Sequence, residues 1–94
     1  MRVITNRRLL EFAFRYPGAR EPLYAWRKLM EEHRFEDFSA LRRRFGGVDK
    51  VGNLYVFNIG GNKYRLIVFL QITQQLAYIK HVLTHAEYDK GDWK

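Results

Sequence analysis

The 94-residue chain has no cysteine and only two prolines. Without thiols there is neither a disulfide framework nor a thiolate metal site, which fits a reducing compartment. No apolar run approaches the roughly 18 residues that a membrane span needs. The opening MRVITNRR also lacks the apolar core of a secretory signal. Repeats, linkers and low-complexity segments are missing too. These absences predict one domain over residues 1–94, cytoplasmic, with no membrane partner.

What is present is positive charge. Seventeen Lys and Arg against ten Asp and Glu leave a formal +7, and eleven of the seventeen are arginine. Such a surplus concentrates polyanions around a small domain, and the planar guanidinium suits phosphate and carboxylate. The expected partner is nucleic acid or an acidic protein surface. Apolar residues at 47% and aromatics at 16% provide for a packed core.

Leu9, Phe12, Ala13 and Tyr16 recur at helical spacing after a possible cap at Thr5 or Asn6, and Pro17-Gly18 ends the segment. A second helix fits Glu21 to His33, with Leu23, Trp26, Met30 and His33 on one stripe. FEDFSALRRRFGG reads as a short helical turn or an ordered loop. The second half changes period: LYVFNI, KYRLIVFLQ and QLAYIKHVL are strands, IGGN is a turn, and RVIT can pair at one edge. The expected fold is α+β, an antiparallel helical hairpin on one face of a three- to four-stranded, mainly antiparallel sheet.

Alternation along the strands assigns the faces. Tyr64, Leu66, Val68 and Leu70 form the core side, and Lys63, Arg65, Ile67, Phe69 and Gln71 the other. In the last strand the same logic sends Ala77, Ile79, His81 and Leu83 to the core, and Tyr78, Lys80 and Thr84 to the side of Arg65. Lys63, Arg65, Lys80 and Tyr78 then share an open face. It reads either as a platform for single-stranded RNA or as an ordinary solvated sheet face.

VFNIGGNKYRLIVF followed by YIKHVLTHAEYDK resembles the HigB-type toxins of bacterial toxin–antitoxin systems, within the wider RelE/ParE-like superfamily. The likeness is strongest from Tyr55 to Lys90. It implies a toxin that cleaves messenger RNA on the ribosome and is neutralised by a HigA-type helix-turn-helix antitoxin. It also implies that the toxin meets promoter DNA only through the antitoxin complex. A gyrase-directed toxin of the same superfamily and a non-catalytic RNA-binding module are the other readings.

Metal-free RNA cleavage needs a base, an acid and a cation at the phosphate. Arg65 is the candidate cation, with a cross-sheet ion pair as its alternative. His85 is the candidate acid or base, or else a capping or packing histidine. Tyr88 is a proton donor, a stacking ring or a half-buried packing ring. Lys63, Lys80 and Tyr78 are candidate RNA contacts, as is the run Arg42, Arg43 and Arg44, which is otherwise a solvated charge run. Glu87 and Asp89 are read as orienting or capping residues, and Asn58 and Asn62 as backbone partners in the glycine turn. His33 and His81 receive no role. The three histidines have no ligand spacing, so neither a metal nor a cofactor is expected.

Overall fold

The computed structural model describes all residues 1–94. Strand β1 (Arg2–Ile4) leads into α1 (Arg7–Arg15), a short turn at Pro17–Ala19, and α2 (Arg20–Glu32). Asn6 occupies the cap position of α1, but neither it nor Thr5 supplies a side-chain capping bond there. Thr5 instead takes a left-handed backbone at φ 70. In α2 the stripe Leu23, Trp26 and Met30 is buried, as its spacing predicts. His33 closes that helix, its Nδ1 2.9 Å from the Leu29 carbonyl.

The FEDFSALRRRFGG segment resolves into a helix, α3 (Phe38–Arg44), capped by Asp37, whose carboxylate accepts from the Ala40 amide. Then come β2 (Asp49–Val51), β3 (Leu54–Ile59), β4 (Tyr64–Gln71), β5 (Leu76–Thr84) and α4 (His85–Lys90). The sheet order is β1-β5-β4-β3-β2; β1 runs parallel to β5 and every other pair is antiparallel. The sheet therefore has five strands rather than three or four. The additional one is β2, three residues joined to β3 by a tight Gly52-Asn53 turn with Gly52 at φ 62.

Helices α1 and α2 share a core with one sheet face. Leu9, Phe12, Leu23, Trp26 and Met30 pack with Phe57, Leu66, Val68, Leu70 and Ile79. Gln75, at φ 57, ties the loop before α3 to the β4–β5 turn. Its amide donates to the Phe35 and Ile72 carbonyls and accepts from the Phe35 amide.

Two expectations about the second face are corrected. That face is not open: Val56, Ile67 and Trp93 form a separate buried cluster, flanked by Leu54, Leu83 and Tyr88. The alternation also breaks inside β5. Ile67 pairs with His81 and Val68 with Ile79, so Lys80 has no partner and is a β-bulge. Beyond the bulge the phase inverts. His81 and Leu83 stand on the side of Arg65, while Val82 and Thr84 lie opposite Leu66 and Tyr64 on the core side.

Candidate active site

Arg65 is the organising residue. It lies inside β4, opposite Asn58 on β3 and Leu83 on β5. It is only 8% exposed and is the single charged side chain among the buried residues. Burying a charge without partners is costly, and its partners are mostly backbone. Nη1 donates to the Asn62 carbonyl at 3.3 Å and the Tyr64 carbonyl at 3.1 Å, and Nη2 to Asn62 Oδ1 at 2.5 Å. No carboxylate pairs with it, so the cross-sheet ion pair is absent and the full cationic charge persists. Nε makes no hydrogen bond and stays in reach of solvent. The guanidinium is thus pre-oriented with an N–H to spare, the arrangement that anion stabilisation requires.

The lid over Arg65 is α4. Six residues are too few for an isolated helix, so local devices hold it. Thr84 and Glu87 form a reciprocal capping box, and Gly91 ends the helix at φ 76. The His85 amide donates to the Lys63 carbonyl at 3.0 Å, which pins the start of α4 to the turn before β4. Tyr88 lies with its ring centroid 5.5 Å from the Arg65 guanidinium carbon. Trp93 stacks on Tyr88 at 5.1 Å and donates its indole N–H to the Tyr88 carbonyl.

His85 completes the group. Its Nδ1 is 3.0 Å from the Asn62 carbonyl and 3.4 Å from Arg65 Nη2. Its Nε2 is 3.1 Å from Asp89 Oδ2, one turn along α4. Nδ1 cannot donate to a carbonyl and accept from a guanidinium at once. The shorter contact selects the Nδ1–H form, which frees the second Nη2 N–H of Arg65. A protonated His85 satisfies both the Asn62 carbonyl and Asp89; the neutral ring satisfies one. Both ring nitrogens are thereby oriented, with the ring at the edge of the Arg65 guanidinium.

The remaining candidates are dispersed. Lys63 lies in the turn before β4, its side chain exposed and its carbonyl engaged by α4. Tyr78 does share the face of Arg65, but it sits at the far end against Phe69, four residues along β4, about 13 Å at the usual strand rise. Lys80 is not beside Arg65: as the bulge residue it lies at the open edge of β5, near Arg8, Glu11 and Arg15. Arg42, Arg43 and Arg44 fill the last turn of α3, where cations suit the helix dipole. Arg42 stacks over Phe38, and none of the three bonds to Arg65 or His85.

Two residues of the site differ from their reading in the sequence: Asn62, expected to bond backbone in the glycine turn, turns its side-chain oxygen to Arg65, and Trp93, given no role, stacks on Tyr88. Asn62 supplies three acceptor contacts, two to Arg65 and one to His85. The available signal was an asparagine directly after the Gly60-Gly61 pair, whose φ values of 63 and 70 let the turn curl back toward β4. Asn58 and Asn62 differ: Asn58 instead lies against the backbone at Gly47. Asp89 and Glu87 take the orienting and capping tasks anticipated for them.

A family model described as the HigB toxin, the RelE-like toxic component of a toxin–antitoxin system, matches residues 19–91. The chain is 34% identical over 92 residues to the mRNA interferase toxin HigB of Escherichia coli K12, covering 95% of this chain and 88% of that protein. It is 29% identical over 93 residues to the mRNA interferase HigB of E. coli O6:H1, covering 96% and 90% respectively. With a helical pair on one side of an α+β sheet and a buried arginine beside a histidine on the other, the chain belongs to the HigB toxin family, the RelE-like toxic components of toxin–antitoxin systems.

Proposed function

We propose that the protein cleaves messenger RNA during translation, using Arg65 and His85 without a metal. The observation that carries this reading is the buried Arg65 guanidinium, held by carbonyls and an amide oxygen, with His85 at its edge. The ribose 2′-oxygen attacks the adjacent phosphorus and the bond to the 5′-oxygen breaks. The products are a 2′,3′-cyclic phosphate and a 5′-hydroxyl. Arg65 stabilises the added negative charge on the phosphorane, and His85 transfers the proton, oriented by Asp89 and the Asn62 carbonyl. Tyr88 positions Arg65 through its ring. The names of the relatives, mRNA interferases, support the same substrate.

The partner that restrains this activity is a HigA-type helix-turn-helix antitoxin in the cytoplasm, and promoter DNA is reached only through that complex. A protein partner is favoured by the outer face of the helical pair. Leu10, Phe14 and Tyr24 there are 64%, 91% and 65% exposed, beside a groove floored by Leu9, Ala13 and Leu23. Large apolar side chains left in water on a small domain mark an interface. The test of the activity is induction in cells with mapping of message 5′ ends, for the wild type and for Arg65→Ala. New ends that vanish in the variant support the reading; growth arrest with intact messages refutes it.

A further inference from the structure

β1 pairs with β5 only from Leu76 to Tyr78, so β5 has an edge without a strand partner from Ile79 onward. Bare edges invite unwanted pairing and are usually covered. Here α1 covers it: Arg8 Nη1 donates to the Lys80 carbonyl at 3.2 Å. Between helix and edge runs a groove of about 250 Å³ lined by Arg8, Glu11, Arg15, Lys80, His81 and Leu83 among others.

Three observations give this groove a function. The bulge leaves Lys80 unpaired and exposed, while its carbonyl is fixed by Arg8. No ion pair engages Arg8, Arg15 or Lys80, and Glu11 is the one acid in the lining. The same bulge turns Leu83 and His81 to the face of Arg65, with Leu83 directly opposite it. The groove therefore meets the Arg65 site across a single strand, about 4.8 Å wide. The positive field is felt by His81, whose pKa is lowered by partial burial and then by Arg8 and Lys80.

We propose that the groove between α1 and the edge of β5 binds the phosphodiester backbone of the substrate RNA next to the phosphate held at Arg65. Arg15 and Lys80 are the phosphate contacts. Arg8 is a positioning residue that holds the bulge from which Lys80 projects. The inference rests on the endoribonuclease reading, and it assigns the groove to the message strand rather than to ribosomal RNA.

The test is the salt dependence of binding to a labelled single-stranded oligoribonucleotide of about ten nucleotides, a length within usual single-strand site sizes. The variants are Arg15→Gln/Lys80→Gln and the charge-matched Arg20→Gln/Lys28→Gln on α2. Each lost phosphate contact lowers the log–log salt slope by about 0.7, so the groove variant loses about 1.4 and the α2 variant much less. Arg15→Lys/Lys80→Arg keeps the wild-type slope, which separates charge from misfolding. Equal slopes in the two glutamine variants overturn the proposal. So does a groove variant that retains the oligonucleotide slope but no longer sediments with ribosomes, since the groove then serves ribosomal RNA. The two readings fail separately. A slope loss in a protein that cuts no message leaves the groove and removes the nuclease. Message cutting with an unchanged slope does the reverse.

Discussion

His85 Nε2 lies 3.1 Å from Asp89 Oδ2, one turn apart on a six-residue helix, while the other ring nitrogen faces the Asn62 carbonyl at 3.0 Å. The two contacts hold the imidazole from both ring nitrogens. His85→Gln is expected to slow message cleavage by about 10²–10⁴-fold, the usual worth of a positioned acid or base. Asp89→Asn lowers the rate less, because it changes the ring's partner and leaves the ring itself in place. A rate in Asp89→Asn equal to that of the wild type would assign the carboxylate to helix stability alone.

The lid on Arg65 depends on its own small core. Trp93→Ala removes a buried ring packed with Val56 and Ile67 and is expected to destabilise by about 3 kcal/mol. Thr84→Ala removes the capping box at the other end and costs about 1 kcal/mol. Denaturant unfolding measures both. Cleavage should fall more than stability alone explains, since each change loosens His85 against Arg65.

His81 makes stability pH-dependent. Burial first, then the charges of Arg8 and Lys80, hold its pKa below the ordinary 6.5, with Glu11 and Arg15 also lining its groove. The unfolded chain then takes up the proton before the folded one as pH falls. This contribution is fully present above about 6.5 and is lost as pH drops through the lower folded value. The melting temperature of the wild type should therefore fall more on acidification than that of His81→Gln; parallel curves would contradict it.

Phe14→Glu, alone or with Leu10→Glu, is expected to abolish capture of the cognate antitoxin and leave message cleavage unchanged. Both residues project from the outer face of α1, away from Arg65. Co-purification from a two-gene expression and the 5′-end map read the two properties separately.

Much of the fold was legible because it follows from period. Leu66, Val68 and Leu70 alternate cleanly, and Leu23, Trp26 and Met30 keep helical spacing, so both core faces could be read directly. The bulge at Lys80 was not legible. It appears only when β5 is laid against β4, and one extra residue moves His81, Leu83 and Thr84 to the opposite faces. The site was half legible for a related reason. Arg65 and His85 carry recognisable chemistry, whereas Asn62 acts mainly through carbonyl and amide oxygens that a turn brings into place. The second small core was hidden as well, because a lone tryptophan beyond the last periodic segment shows no period that ties it to Ile67.

The chemistry of the cut ends on a defined message translated by purified ribosomes reads the reaction itself. Each cut is expected to leave a 5′-hydroxyl and a 2′,3′-cyclic phosphate. Arg65→Ala is expected to lose about 10²–10³-fold or more in rate, with only partial recovery in Arg65→Lys, which restores charge without the fork. Ends carrying a 5′-phosphate, or unchanged cleavage by Arg65→Ala, would contradict the proposed mechanism.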